Sequence, residues 1–272
     1  MISLPMVKRL PAEKMPRRHI SYSSLSTFRA CPLRYHFHYN LGLPETTIAS
    51  SLLLGSAMHS SLQFHYEELL AGKPAPGLDL LLDVFWNAWK LQDGKKILFG
   101  KGEDLNSIGS LADRMLRAFQ RSQLAQPQGK ILAIEEEFRD TLIPGLPEML
   151  ARIDLVIETE DAIDVIDFKT ARSGWSEDHV ADSADQLLLY GELAKDLADG
   201  KPLRLAFAVL TKTRIPDLTI HPVTTAPEQV SRTRAVVRRL WQAIESQNFY
   251  PNPTPLQCPS CPFREPCRAW RG

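Results

Sequence analysis

A short apolar segment that carries charges of both signs, IDVIDFKT at residues 163–170, constrains the fold of this chain more than any other feature. Its β-branched and aromatic residues predict a strand. Because side chains alternate across a strand, Asp167 and Lys169 share one face with Val165. A carboxylate on a half-buried strand costs free energy unless a cation or hydrogen bonds compensate it. The segment therefore predicts either a site that needs this carboxylate or an exposed ion pair on an edge strand.

A second strand, ARIDLVIE at residues 151–158, carries Asp154 among apolar neighbours. A two-residue hairpin loop at 159–160 would set Asp154 opposite Val165 and diagonal to Asp167 on the same face. Diagonal Cβ atoms are about 7–8 Å apart, a separation at which two carboxylates can share one hard cation. A neighbouring lysine could orient a water molecule and stabilise negative charge. This set of groups is suited to metal-assisted hydrolysis of a phosphodiester.

The remainder of the chain shows a helical half followed by alternating strands and helices. Helical periodicity covers 51–70 and 78–127, strands are expected at 131–139, 149–157, 162–169 and 204–211, and further helices at 183–197 and 227–246. This order predicts an α/β fold. We expect a single domain over residues 1–272, with the helical stretch 60–130 as an insertion packed on the sheet.

The four cysteines divide into Cys31 and a C-terminal group, CPSCPFREPC, which contains Cys258, Cys261 and Cys267. Four thiolates make one closed site for zinc or for an iron–sulfur cluster. Closing a long loop costs only logarithmically more than closing a short one, so such a site could staple the N-terminal helix to the tail at 250–272. From the residues alone, an iron–sulfur cluster, zinc and unligated thiols all stay open.

Charge and hydropathy exclude several classes of protein. Lys+Arg and Asp+Glu are equal at 32, which excludes a uniformly basic nucleic-acid binder but not a local basic groove. No apolar run approaches the ~20 residues that a membrane span needs, and the N-terminal stretch predicts no secretory signal. We therefore expect a reducing, cytoplasmic location. The sequence contains no GxxxxGK[ST] loop, so any unwinding of DNA would need a helicase partner.

Asp154, Asp167 and Lys169, the last two within D-F-K-T, together resemble the motif of the PD-(D/E)XK nuclease superfamily. The cysteine layout is similar to that of its RecB/AddB-type and Cas-four-like exonucleases. The resemblance implies a restriction-endonuclease-like mixed sheet flanked by helices, with an N-terminal helical region and a tail stapled by a 4Fe-4S cluster. It also implies a DNA exonuclease that uses Mg²⁺ or Mn²⁺ in DNA repair, recombination or CRISPR-type processing. Ala151 replaces the glycine of many members, a departure that affects packing more than chemistry.

The resemblance further implies roles for individual residues, and DNA ends or single strands as the substrate. His59, Asp154 and Asp167 would hold the divalent ion, and Lys169 would position the attacking water. Gln186 and Tyr190, spaced as Q-x-x-x-Y, would orient Lys169 or the DNA strand. The four cysteines, Cys31, Cys258, Cys261 and Cys267, would bind the cluster.

Competing interpretations exist for several of these residues. A single histidine on a helix is more often a core or surface residue than a ligand. Ser183-x-x-Gln186 also matches a capping box, in which Gln186 would serve a helix end. Glu137, within EEEFRD, is a further candidate acid near the metal, although consecutive glutamates are typical of a solvated edge. For the whole protein, the alternatives are a non-catalytic DNA-binding subunit and a zinc-stapled scaffold of a DNA-processing complex.

Overall fold

A computed structural model of the chain describes residues 19–91 and 94–271. The N-terminal stretch for which the sequence predicts no secretory signal lies outside these ranges. The strands are β1 (His19–Ser21), β2 (Thr47–Ala49), β3 (Lys96–Leu98), β4 (Lys130–Asp140), β5 (Glu148–Glu158), β6 (Ile163–Ala171), β7 (Leu203–Thr211) and β8 (Leu218–Val223). The helices are α1 (Tyr22–Ala30), α2 (Pro32–Tyr35), α3 (Ser50–Leu70), α4 (Leu78–Lys90), α5 (Leu105–Arg121), α6 (Glu177–Ser183), α7 (Asp185–Leu193), α8 (Pro227–Glu245) and α9 (Arg264–Ala269).

Six strands form one mixed sheet. Its main order is β4-β5-β6-β7-β8, and β1 pairs with the beginning of β5. The β1–β5 and β6–β7 pairs are parallel, whereas the β4–β5, β5–β6 and β7–β8 pairs are antiparallel. Strands β2 and β3 form a separate parallel pair. The mixed sheet flanked by helices confirms the predicted fold class.

Helices cover both faces of this sheet. On one face, α1, α7 and α8 enclose a core that contains Val165, Leu187 and Trp241. On the other face, α3, α4 and α5 enclose a core that contains Phe85 and Phe168. Because β6 is covered on both faces, apolar residues occupy four of the six positions from Ile163 to Phe168 and lie on both sides of the strand, as expected for an inner strand. None of the helices in the described part combines the length and apolar character that a membrane crossing requires.

The register between β5 and β6 differs from the expected one. Leu155 pairs with Ile166 and Glu158 with Ile163, so the hairpin loop has four residues instead of two. Thr159 closes this loop, because its N–H donates to the carbonyl of Ala162 at 2.9 Å. The prediction that Asp154 lies opposite Val165 is therefore wrong, and the ladder aligns Asp154 with Asp167. The shift is an even number of residues, so both carboxylates keep the same side of the hairpin.

The helical half is also less continuous than its periodicity indicates. The expected helix at 78–127 is interrupted between α4 and α5 by the short strand β3 and by glycines. Gly94 and Gly102 adopt φ values of 71° and 75°, which a helix cannot contain. A new helix then starts at α5, where the Asp104 side chain accepts a hydrogen bond from Ser107 N at 2.7 Å. The assignment of 60–130 as an insertion stays a prediction.

Candidate active site

The candidate site lies where β5 separates from β6. The edge of β5 that faces β6 forms its ladder from Leu155 to Glu158, and the same edge pairs with β1 at Glu148–Leu150. In the gap between these pairings, the Oδ2 of Asp154 accepts a hydrogen bond of 2.6 Å from the backbone N–H of Phe168. A side chain thus replaces the next rung of the ladder. This exchange fixes the Asp154 carboxylate at the fork between the two strands.

A third acid, Glu135, lies beside Asp154 on the other neighbouring strand. In β4, Ile134 pairs with Leu155 and Glu136 with Ile153, which brings Glu135 level with Asp154. Glu135 has a φ of 48°, an uncommon conformation for a residue other than glycine. Such backbone strain costs about 1–3 kcal/mol and is concentrated at functional sites.

The side chains of β5 switch from one face of the sheet to the other beside Glu135. Ala151 and Ile153 of β5 pack in the core beneath α7, whereas Leu155 and Ile157 pack in the core beneath α3. Strict alternation would put all four on one face. The distortion therefore turns the Asp154 carboxylate into the gap instead of into either core.

Helix α3 completes a possible metal-binding set with His59. Its Nδ1 lies 3.5 Å from Asp154 Oδ2 and 3.6 Å from Glu135 Oε1. Burial opposes protonation of this imidazole, but the two carboxylates outweigh burial and raise the pKa of His59 to about 10. Ligand atoms of His59, Glu135 and Asp154 all lie within 4.8 Å of one another. One imidazole nitrogen and two carboxylate oxygens suit Mn²⁺ and Mg²⁺.

Asp167 lies deepest in the site, with 2% of its surface exposed. Its Oδ2 is 2.6 Å from Lys169 Nζ, an ion-pair distance, yet within the described residues this oxygen accepts no hydrogen bond of good angular geometry. Burial raises the pKa of Asp167 to about 6, while Lys169 opposes that rise. A buried carboxylate oxygen without a full partner is what a bound cation would satisfy. Asp167, predicted as a ligand, is not one of the three described residues whose ligand atoms lie within 4.8 Å of one another, and Glu135 takes its place in that group. The residues present therefore fit a divalent metal.

Gln186 of α7 links the remaining polar groups. Its Oε1 accepts from Lys169 Nζ at 2.9 Å, and its Nε2 donates to Asp167 Oδ1 at 2.8 Å and to Tyr190 Oη at 3.0 Å. The i, i+4 spacing puts Gln186 and Tyr190 on one helix face. Burial, followed by the charge of Asp167, raises the pKa of Tyr190 well above its ordinary value, so its phenol stays neutral.

Two of the competing interpretations from the sequence are wrong. Ser183 ends α6, and α7 begins after Ala184 without a side-chain cap, so Gln186 is not part of a capping box. Asp167 and Lys169 are not an exposed pair on an edge strand, because β6 lies between β5 and β7.

Glu137 is not near the site. Its side chain is 42% exposed and pairs with Arg139 and Arg152. Glu135, two positions earlier, is the acid that sequence reasoning missed. The run EEE was a signal for an acid here, but it did not distinguish between its members.

The structure also gathers the four cysteines. Cys31 lies between α1 and α2, and Cys258, Cys261 and Cys267 lie in the tail. Burial raises the pKa of the Cys261 and Cys267 thiols, and nearby Cys31 and Cys258 raise it further. The backbone N–H groups of residues 252 and 254 point at the sulfur atoms of Cys31 and Cys258, at 3.5 and 3.3 Å. Four neighbouring thiols suit a soft metal or an iron–sulfur cluster.

Comparisons with known proteins concern the family and the fold of this chain. The sequence profile of the PD-(D/E)XK nuclease superfamily matches residues 19–268. No curated protein is significantly similar to the chain. The crystal structure of a presumed exonuclease from Eubacterium rectale is similar with a TM-score of 0.57 and 16% identity, over 94% of this chain and 89% of that one. The structure of SSO0001, 18% identical over 91% of this chain and 95% of that one, has a TM-score of 0.39, too low to support an argument. At such identities, the similarity to the first structure concerns the fold alone.

Proposed function

This chain belongs to the PD-(D/E)XK nuclease superfamily, and from that premise we propose that it is a metal-dependent DNA exonuclease of RecB/AddB type. The observation that carries the proposal is the convergence on one gap of a histidine, three acids and a lysine. Exonuclease action in particular follows the resemblance of the cysteine layout to RecB/AddB-type exonucleases, and the Eubacterium rectale protein that shares the fold is described as a presumed exonuclease. The DNA would be digested in repair, recombination or CRISPR-type processing, and a helicase partner would supply any unwinding.

Metal ligands in this proposal are His59, Glu135 and Asp154, and Asp167 would join them by turning its Oδ2 from Lys169 to the ion. A divalent cation held there would polarise the scissile phosphate and lower the pKa of a bound water. The acids also bring negative charge close to the phosphate. This charge repels the phosphate unless a cation neutralises it. Loss of any one ligand should therefore weaken substrate binding as well as metal binding.

Lys169 would orient the attacking water and stabilise the charge that develops on the phosphoryl oxygens. Its ammonium is held between Asp167 Oδ2 at 2.6 Å and Gln186 Oε1 at 2.9 Å. A donor fixed before the reaction does not have to reorganise during it, which is the source of electrostatic stabilisation in enzymes. Gln186 is a positioning residue in this scheme, and Tyr190 holds Gln186 in place.

We further propose a 4Fe-4S cluster bound by Cys31, Cys258, Cys261 and Cys267, with zinc as the alternative. Backbone N–H groups directed at cysteine sulfurs support a sulfur-ligated centre, because such hydrogen bonds stabilise metal thiolates. When bound, the cluster would join the two ends of the chain. No role in electron transfer is implied.

The main alternative is a DNA-binding subunit without catalytic activity. Such a subunit has no need of Asp154, Asp167 and Lys169, yet all three are present and meet in the gap. A zinc-stapled scaffold is the other alternative, and it leaves the polar network around Gln186 without a purpose.

End-labelled linear DNA, single- and double-stranded, provides the test, with Mg²⁺ or Mn²⁺ added. We expect short products released from the ends, and no cleavage of circular single-stranded DNA. Cleavage of the circle would show an endonuclease and contradict the exonuclease assignment. Complete inactivity of folded, metal-supplied protein on every substrate would contradict the nuclease assignment itself.

A further inference from the structure

Two basic residues, Arg172 and Lys212, stand side by side at the ends of β6 and β7. The parallel ladder between these strands ends with the pair Ala171 and Thr211. One step further, the N–H of Lys212 donates to the carbonyl of Ala171 at 2.6 Å, so the chains are still adjacent there. In the part of the chain that the structure describes, neither basic side chain forms an ion pair.

Both side chains face the start of helix α3. By alternation they share the face of Thr170, which lies under α3, since a Cβ placed on Gly55 would be 3.2 Å from Thr170 Oγ1. One carboxylate, that of Glu103, is close enough for its pKa to be lowered, first by hydrogen bonds and then by Lys212 and Arg172. That carboxylate already accepts from Ser50 Oγ at 2.6 Å and from Gly100 N at 2.8 Å. Two cations thus face one acid that is already hydrogen-bonded.

Lys212 is half-buried although a second cation, Arg172, lies beside it. Burial, followed by the charge of Arg172, lowers the pKa of Lys212, and Glu103 opposes that effect. A half-buried amine next to a second cation costs free energy unless an anion is shared between them. The missing counter-charge points to an anionic ligand.

The position of this pair relates the ligand to the candidate active site. At a strand rise of about 3.3 Å per residue, Arg172 lies roughly 10 Å along β6 from Lys169. The two side chains leave β6 on opposite faces, because Lys169 contacts Gln186 of α7 whereas Arg172 follows Thr170 on the face of α3. Helix α3 also carries His59, so the basic pair lies on the side from which this histidine reaches Asp154. A nucleic-acid strand whose scissile phosphate lies at these groups would pass the basic pair on that side.

We propose that Arg172 and Lys212 form a phosphate-binding subsite that holds the substrate strand beside the phosphate to be hydrolysed. The inference rests on the proposed nuclease function and adds positioning residues to it. Arg172 offers a planar fork for two phosphate oxygens, and Lys212 offers a compact charge. Neither residue touches the reacting atoms, so their loss should raise KM and leave kcat nearly unchanged.

Binding of a short fluorescent oligothymidylate, measured by anisotropy with Ca²⁺ in place of Mg²⁺ or Mn²⁺ so that the acids are neutralised, tests the subsite apart from turnover. The variants are Arg172→Gln, Lys212→Gln and the double variant. Lys130→Gln is the matched control, since Lys130 is exposed and pairs with Glu158 at the opposite end of the sheet. We expect Kd to rise about tenfold or more in the double variant, or ~1.4 kcal/mol. The slope of log Kd against log salt should fall by about 0.7 for each phosphate of a single strand that is no longer neutralised.

Several outcomes would overturn the subsite. The first is a double variant whose Kd and salt slope equal those of Lys130→Gln. The second is a wild type that does not bind the probe. The third is a double variant whose kcat is lowered while its KM is unchanged. Arg172 is exposed, so Arg172→Gln decides the matter if Lys212→Gln does not fold. Wild type that binds the probe but never cuts DNA would defeat the proposed function and leave the subsite standing.

Discussion

The two clusters of candidate metal ligands in this protein are built in opposite ways. The carboxylate site takes Asp154 and Asp167 from the inner strands β5 and β6 and Glu135 from the outer strand β4. Asp167 is 2% exposed, and two helical layers enclose the sheet. The cysteine site lies at the chain ends on short helices and turns, and all four thiols are partly exposed. Its buried apolar support consists of Leu33, Phe37, Leu41 and Phe263. We therefore expect the fold to form the first site without help, whereas the proposed metal at the second site would contribute to holding the fold.

This comparison predicts that damage to the first site removes activity and spares stability. Asp167→Asn should lower kcat by at least about 10³-fold, the scale of loss when one member of a catalytic unit is removed. Rates on end-labelled DNA provide the measurement. Asp161→Asn is the control, because Asp161 lies in the hairpin loop with 74% of its side chain exposed. An Asp167→Asn variant that cuts at the wild-type rate would show that the acid is structural.

Stability of the same variant should move in the other direction. The pKa of Asp167 is raised by burial to about 6 in the folded protein, against about 3.9 in an unfolded chain. The folded state therefore binds the proton more tightly, and wild-type stability without metal falls as pH rises through this interval. Chemical denaturation should show that the free energy of unfolding of Asp167→Asn, relative to that of wild type, is higher at pH 7 than at pH 4. If the stability of Asp167→Asn relative to wild type falls as the pH rises, the buried environment assigned to Asp167 is contradicted.

Lys169→Ala should separate metal binding from chemistry within the first site. We expect kcat to fall about 10²–10³-fold, as when a preorganised donor is removed. Affinity for Mn²⁺, measured by calorimetry, should stay within a few-fold of wild type because the ligand set is intact. Lys201→Ala is the control, since Lys201 pairs with Glu158 at the far end of the hairpin. Loss of Mn²⁺ binding in Lys169→Ala would contradict the role of this lysine.

Damage to the second site should show the reverse pattern. Cys261→Ser should lose iron and colour and become protease-sensitive both near Cys31 and in the tail, at a cost of about 2–5 kcal/mol, comparable to a lost cross-link. Iron content, absorption and limited proteolysis of anaerobically purified protein provide the measurements. Colourless wild type with zinc would replace the cluster by zinc and keep the staple. Unchanged protection near Cys31 would place the cysteines in separate sites.

The smallest expected effect concerns local order in the carboxylate site. Gln186→Met removes the acceptor for Lys169 and the donor for Asp167, while the helix and its packing stay intact. We expect kcat to fall about tenfold, or ~1.4 kcal/mol, with Mn²⁺ affinity nearly unchanged. Gln128→Met, at an exposed position just before β4, is the control. Wild-type kcat in Gln186→Met would mean that the strands alone hold Lys169 in position.

The sequence predicted four of the eight strands, β4 to β7, because their runs of apolar and β-branched residues are strong, and it missed the short strands β1, β2 and β3 and the strand β8. It also failed where the outcome depends on turns. Thr159 closes a four-residue hairpin loop, and the pattern of apolar residues does not indicate the length of that loop. Gln186 has two possible uses in the sequence, and the buried partner Asp167 decides between them only in the folded state. The roles of His59 and the cysteines came from resemblance, since a lone histidine or scattered thiols have no periodicity that predicts their contacts.

The same limit applies to the acid on β4. The three glutamates of EEEFRD are locally equivalent, and nothing in their spacing singles out Glu135 over Glu137. What separates them is one backbone dihedral angle, set by the pairing of β4 with β5. Sequence patterns indicate which face of a strand a side chain occupies, but they do not predict a left-handed backbone angle such as that of Glu135.

That dihedral angle has a second consequence, for how the protein behaves when crowded with copies of itself. Strand β4 is eleven residues long and lies at an outer margin of the sheet, next to β5. A long, straight margin of unpaired backbone groups is a template on which another chain can add a strand and begin to aggregate. The left-handed turn at Glu135 breaks the row of outward N–H and C=O groups near its middle, and the charged run around it repels a second copy. The residue that we propose as a metal ligand would thus also oppose the addition of a further strand at this edge.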